Sequence, residues 1–468
     1  MTQVAILLVA GVAAAVLFGL FARWERSGRE HFVVMLLLAM LVLETSLYEN
    51  QDLMPRDIFH PGSGAFEFRL PEVIITLALL ARMVVRGRAT RVGVAPLLWM
   101  AFGAWILVAA VEGVLRHNDF TQIPYQAKAV VYVVGGYALA AGVPIRRFLE
   151  GRALTRLVRW SAVAATVLMA MQAGHRVYAI HLPLLPLPDF GVDGSDAATI
   201  FAAIGLIGLL LELAQEKRSK LTLLACLALL VSPFLANQRA VLVMLGASVT
   251  AVLVVATGRT ARRRLRVKSA EVLLTAMAVV GVVLGVSVIP ALEGSGTVQV
   301  PLSSTLAKTF DSTGKIQSAQ DRASKWSVAF SLIRQHPILG NGLGVEFSFY
   351  EPGPNVITVT DVTENIGLDL WMRAGVIAVV LFVITLLFSL VDGMAAWRQH
   401  PDRMVAVLAL ALVAVVVGLV TKGMVESIFE KYRLATMLGL SLGLLRSAVT
   451  SAGGTRWTTR RARAYEEV

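Results

Sequence analysis

The chain has 468 residues, 56% hydrophobic and 16% charged, with a mean hydropathy of +0.70; a soluble chain carries about a quarter charged residues. That balance excludes a disordered, coiled-coil or β-barrel chain, and the one cysteine, Cys226, excludes an intramolecular disulfide and any cysteine-based metal cluster. A net charge of +12 and a pI near 10.1 would suggest nucleic acid in a soluble protein, but in a polytopic one the placement of the charges must be read first.

Apolar runs of about 16 to 22 residues recur along the sequence, each long enough to cross a hydrocarbon core of about 30 Å as a helix. In chain order they predict spans near 3–22, 31–47, 70–85, 94–114, 128–143, 159–173, 197–213, 221–236, 240–257, 270–290, 367–391, 404–421 and 429–445. The first run has no basic stretch before it and Arg23, Arg26 and Arg29 behind it, so it reads as a helix and not as a signal peptide. The expected fold is all-α: a polytopic membrane bundle of 12–13 spans with one large outward loop containing amphipathic helices.

The loops after the odd-numbered spans, with the tail, hold 27 of the 43 basic residues. By the positive-inside rule that side is cytoplasmic, so the basic balance is topology and no nucleic-acid partner is expected. The N-terminus then lies outside. The expected organisation is an N-terminal transmembrane part (1–290), an extracytoplasmic loop (291–366), C-terminal spans (367–446) and a basic cytoplasmic tail (447–468). Loops of such length are usually functional or disordered. Within this one, QDRASKWSVAFSLIRQ (320–335) spaces Trp326, Val328, Phe330, Leu332 and Ile333 in a partly helical pattern, as one or two interfacial amphipathic helices would.

Polar residues at the outward ends are the candidates for chemistry. Arg239 sits in the turn PFLANQRAVLVML between two apolar helices, where it must snorkel, pair with an anion or line a cavity. Arg322, Lys325 and Arg334 follow at helical spacing, before HPILGNGLG (336–344) breaks the chain with one proline and three glycines. Backbone amides of such a segment can cradle phosphate, but GxGxxG spacing is absent, and His336 before Pro337 reads as a structural cap. DVTENIGLDLWMRAGV leads into the eleventh span with Asp361, Glu364, Asp369 and Arg373. Glu364 and Asp361 are candidate general bases for a sugar hydroxyl; alternatively, Thr360 and Asp361 simply cap the helix. The last outward connection, TKGMVESIFEKYR, contributes Lys422, Glu426, Glu430, Lys431 and Arg433, which suit a polar substrate with an anionic group or form a salt-bridged hinge.

Glu44, Glu72, Glu112 and Glu212 lie near span ends, and neither internal repeats nor mid-membrane charges are evident. A transporter or flippase of lipid-linked glycans, the alternative reading, would want both. HExxH, Walker and paired-cysteine patterns are absent, as is DxD in the outward loops, so neither a metal nor a cofactor is expected.

Over residues 195–445 the chain resembles the O-antigen ligase and polymerase superfamily of the bacterial inner membrane. The likeness rests on the NQRAVLV turn, on DRASKW, on HPILGNGLG beside the family's HPxxGxGxG, and on ENIGLDLWMRAG beside its HNxxLxxxxExG. It implies a glycosyltransferase that moves a glycan from a polyprenyl-diphosphate carrier to a glycan or lipid acceptor at the extracytoplasmic face. Arg239 and Arg322 would then hold the diphosphate, since guanidinium forks match phosphate oxygens, with Lys422, Arg433 and Arg373 as further anion-binding candidates. Where family ligases carry a histidine this chain has Glu364. Either the carboxylate takes over as base or the acceptor is not that of the lipopolysaccharide ligases.

Overall fold

A computed structural model describes residues 2–48, 70–86, 94–150, 153–178, 195–216, 218–235, 239–256, 312–351, 356–429 and 431–451. The helices are α1 (Thr2–Arg26), α2 (His31–Tyr48), α3 (Leu70–Arg86), α4 (Val94–Leu115), α5 (Gln122–Val130), α6 (Gly136–Ala141), α7 (Ile145–Glu150), α8 (Ala153–Tyr178), α9 (Ser195–Ala214), α10 (Lys220–Leu235) and α11 (Arg239–Ala256). After residues 257–311, which lie outside the description and include the expected span 270–290, come α12 (Ser312–Gln335), strands β1 (Phe347–Glu351) and β2 (Val356–Thr360), α13 (Ile366–Gln399), α14 (Arg403–Gly423) and α15 (Tyr432–Ser451).

The protein is an all-α polytopic membrane bundle. Among the described residues helices occupy twelve of the thirteen expected spans, and five are by themselves long and apolar enough to cross a bilayer. Burial separates two kinds of apolar helix. In α14 every residue from Val405 to Val416 is buried, whereas α4 exposes Leu97, Met100, Leu107 and Val111 to what must be lipid, because water would not tolerate such a face.

The expected span 128–143 starts earlier, at Gln122, and passes through a π turn at Val131–Gly135 between α5 and α6. That turn presses against α15, where a Cβ on Gly439 would stand 2.4 Å from the Val133 carbonyl oxygen. Small residues there let the backbones approach, as is common between membrane helices.

Polar side chains collect at the two ends of the bundle. At one end Arg82 and Arg86 bridge to Glu25 at 3.0 and 2.6 Å, Arg446 to Asp392 at 3.2 Å and Arg146 to Asp402 at 3.9 Å. Arg86, Arg146 and Arg446 belong to the basic side of the sequence, and Arg82 lies one turn before Arg86 on α3. The opposite end carries α12, the hairpin and most of the candidate residues.

Candidate functional site

The loop expected before the span 367–391 contributes one long helix and, against expectation, a two-stranded antiparallel hairpin with Phe347 opposite Thr360 and Glu351 opposite Val356. Alternation turns Phe347 and Phe349 inward, where they pack with Ala329 and Ile333 of α12, Val345, and Met372 of α13. Ala329, Leu332 and Ile333 of α12 are therefore covered by protein, while Phe330 stays 44% exposed.

HPILGNGLG seats α12 on the bundle. Gly340, Gly342 and Gly344 have φ of 81°, 83° and 80°, a region that disfavours side chains, and a Cβ on Gly342 would lie 2.4 Å from Gly113 of α4. Its amides are committed to protein: Asn341 N donates to the Met372 carbonyl (2.8 Å), Leu343 N to that of Ala109 (2.9 Å) and Gly344 N to Gln126 Oε1 (2.8 Å). Asn341 Nδ2 reaches the carbonyls of Leu332 and Met372, both at 3.1 Å. The segment is a wedge between α4 and α13. His336 stands beside Arg116, its Nδ1 3.3 Å from a guanidinium nitrogen.

That wedge and the cap of α13 fix Glu364. The helix cap is Asn365, whose Oδ1 accepts from Gly367 N (2.9 Å) and Leu368 N (3.1 Å), and not Thr360 or Asp361; α13 begins after the turn because Asn365 has the extended backbone a cap needs. Asn365 Nδ2 also donates to the Met424 carbonyl at 2.9 Å, tying the turn to the α14–α15 connection. Asp369, 1% exposed, accepts from Thr363 N (2.8 Å) and Thr363 Oγ1 (2.7 Å), and Trp326 Nε1 donates to the Thr363 carbonyl (2.9 Å). Between these ties Glu364 adopts φ 61°, uncommon for a residue with a side chain and frequent where geometry is held for function.

The side chain so placed meets two cations one turn apart on α12. Arg322 Nε lies 2.9 Å from Oε2 and Lys325 Nζ 2.6 Å from Oε1. Burial by itself would raise the Glu364 pKa, but Lys325 and Arg322 together outweigh it and hold the carboxylate below its usual range. Lys325 also lies 5.0 Å from the centre of the Phe349 ring, which fixes its stem.

The second candidate base has different company. Asp361 Oδ2 accepts from Gln126 Nε2 (2.8 Å) and lies 3.5 Å from Arg373 Nη2, which also donates to the Asp361 carbonyl. Arg373 and Gln126 are buried and line, with Phe102, Ile106, Asp369 and Phe429, a cleft beneath the Glu364 turn. Asp361 and Arg373 thus join the loop to α5.

Lys422 and Arg433 lie on the far side of Asn365. Lys422, 0% exposed, pairs with Glu426, which also pairs with Lys431; Lys431 in turn lies 3.3 Å from Asp196 at the start of α9. Arg433 is buried with its Nε 3.0 Å from the Tyr432 hydroxyl. Burial would raise the Glu426 pKa, yet Lys422 and Lys431 pull it down to about 2. Because the folded value lies below the usual 4.5, this carboxylate contributes its full stability above pH 4.5 and loses it as the pH falls towards 2. Glu426→Gln should cost about 3–5 kcal/mol at pH 7, since Lys422 would stay buried without its counter-charge. Thermal unfolding in detergent against pH checks this: the variant should unfold at lower temperature at pH 7 and lack the part of the wild-type acid decline between pH 4.5 and 2.

The structure thus brings together Glu364 with Arg322, and Asp361 with Arg373, and links both sets to the Lys422 connection. Arg239 is the first residue of α11, which packs on α14; its side chain lies outside the described residues. Sequence reasoning noted Lys325 without assigning it a role and gave none to Gln126. Their signals were a second cation one helical turn from Arg322 and an amide near the end of an apolar helix. Among the described residues no group of three or more His, Cys, Asp or Glu is placed to hold a metal ion.

Residues 222–383 match the family model described as O-antigen ligase. The matched stretch runs from α10 through the first half of α13 and contains Arg239, Arg322, Lys325, the glycine wedge, Asp361, Glu364 and Arg373. It supports the likeness to the O-antigen ligase and polymerase superfamily that the motifs carry, and it indicates ligase-type, glycosyltransferase-like chemistry on lipid-linked glycans. Comparison with curated proteins gives no match.

Proposed function

Taking an O-antigen ligase domain at residues 222–383 as the premise, we propose that the protein is a metal-independent glycosyltransferase of the bacterial inner membrane. It moves a glycan from a polyprenyl-diphosphate carrier to a hydroxyl of a glycan or lipid acceptor at the extracytoplasmic face. The observation that carries this reading is the Glu364–Arg322–Lys325 cluster at the end of the bundle away from the basic loops.

In the free protein Arg322 and Lys325 neutralise Glu364. A diphosphate competes for the same two cations, and a guanidinium binds phosphate oxygens as well as it binds a carboxylate. As the cations turn to phosphate, Glu364 loses the charges that depress its pKa, and its affinity for a proton rises. The acceptor oxygen then attacks the anomeric carbon and its proton passes to Glu364. The bond from that carbon to the diphosphate oxygen breaks with inversion, and the leaving diphosphate takes the electron pair into the field of Arg322 and Lys325. Arg239 joins from α11 as a further phosphate ligand. Lys422, Arg433 and Arg373 act at longer range, holding the connection and the cleft in place while adding positive potential. Asp361, bonded to Arg373 and Gln126, positions the loop; Glu364 is the base.

Purified protein in nanodiscs, given a polyprenyl-diphosphate oligosaccharide and acceptor, should release polyprenyl diphosphate and form the lengthened product. Movement of the lipid across the bilayer with no bond cleaved would support a flippase instead. Glu364→Gln should lower turnover by about 10²–10⁴-fold, the range for a general base. The acid limb of kcat/KM in the wild type should fall below pH 4.5, because the group is depressed in the free enzyme. Full activity of Glu364→Gln at every pH would remove Glu364 from the chemistry.

A further inference from the structure

The helix α13 is two helices joined at Gly375, where φ is 74° and ψ 177°. The second part begins at Val376, whose amide donates to the Pro337 carbonyl at 3.0 Å; Trp371 Nε1 donates to the same oxygen at 2.9 Å. The turn after Pro337 is therefore fixed against the outside of α13 at the level where its second part starts. Two adjacent apolar side chains of that turn, Ile338 and Leu339, are 59% and 45% exposed.

Below Val376 the exposed positions of α13 follow at helical spacing: Val380, Ile384, Leu387 and Val391. On a membrane-spanning helix that stripe faces lipid, and Val376 stands at its head. The first charged residue at the other end of the stripe is Asp392. About 20 residues, one hydrocarbon thickness, counted back from it reach Met372. The turn is level with the acyl boundary and continues the lipid-facing stripe.

We propose that Ile338 and Leu339 insert into the acyl boundary of the leaflet on the site's side, so that the Pro337–Leu339 turn is a lipid contact anchoring the C-terminal end of α12. Its ligand is the bilayer itself, contacted through acyl chains. The helix that carries Arg322 and Lys325 is thereby referenced to the membrane surface at which a lipid headgroup would arrive. The anchor depends on the polytopic fold and not on the glycan reading.

The test uses the full chain in phosphatidylcholine–phosphatidylglycerol vesicles, with Ile338→Cys or Leu339→Cys carrying an environment-sensitive fluorophore; native Cys226 is fully buried and stays unlabelled. Both positions are exposed, so neither substitution disturbs packing. Strong quenching by lipids with a nitroxide near the top of the acyl chain, together with protection from aqueous iodide, is the expected result. Free quenching by iodide, or protection from iodide with no quenching by nitroxide lipids, as contact with another protein would give, would overturn the proposal. No transfer activity enters the readout, so failure here leaves the proposed reaction untouched, and loss of that reaction leaves the anchor standing.

Discussion

Arg322→Ala should reduce transfer at least about 100-fold, as removal of one preorganised charge donor to a transition state does elsewhere, with membrane insertion and helix content unchanged. Arg322 is partly exposed and pairs with Glu364, so truncation leaves no described buried group orphaned except a carboxylate that Lys325 still neutralises at 2.6 Å. The loss must then come from the reaction. Arg322→Lys should recover only part of it, because an ammonium keeps the charge but not the two-pronged fit to phosphate. Lys325→Ala should cost less. The double variant should fall short of the sum, since in the proposed chemistry both cations act on one diphosphate and one carboxylate. Initial rates of polyprenyl-diphosphate release across wild type and the four variants check this; an Arg322→Ala protein within threefold of wild type would exclude the assigned role.

Gly375→Ala should have the largest effect on the fold. Its φ of 74° and ψ of 177° fall in a region open almost solely to glycine, a strain of about 1–3 kcal/mol for any other residue. A Cβ there would also stand 1.9 Å from the Ile338 carbonyl oxygen, which is backbone and cannot rotate away. Relief requires the turn after Pro337 to leave α13, which would unseat α12 together with Arg322 and Lys325. The expected result is a thermal midpoint in detergent lower by several degrees, or failure to yield folded protein, with transfer lost in either case. Gly246→Ala is the control. A Cβ at Gly246 on α11 meets nothing within 4 Å, and alanine in a helix is favoured over glycine by about 1 kcal/mol, so this variant should be as stable as wild type or slightly more so.

The spans were legible because a bilayer demands long uninterrupted apolar runs, and only helices satisfy the backbone inside it. The start of α13 was less so. Thr360, Asp361 and Asn365 are all competent caps, and the choice of Asn365 depends on its bond to Met424, 59 residues away. The hairpin was hidden by its length: five residues per strand in a polar loop give too short an alternation to stand out. HPILGNGLG declared a sharp turn, but not that its amides are spent on α4, α5 and α13. Of the site, the charged residues could be named individually while their pairing could not. Arg322 and Glu364 are 42 positions apart, and only the packing of α12 on α13 brings them into contact. The contact of Lys325 with Glu364 was hidden in the same way, since in sequence it is one more lysine on a polar helix.

The most direct test is a cryo-electron microscopy structure with a non-hydrolysable polyprenyl-diphosphate glycan bound in nanodiscs. The diphosphate should lie within hydrogen-bond distance of Arg322 and Lys325, with Glu364 released from both and turned towards the anomeric carbon. A carrier bound elsewhere, with Arg322 and Lys325 still closed on Glu364, would contradict the proposed chemistry.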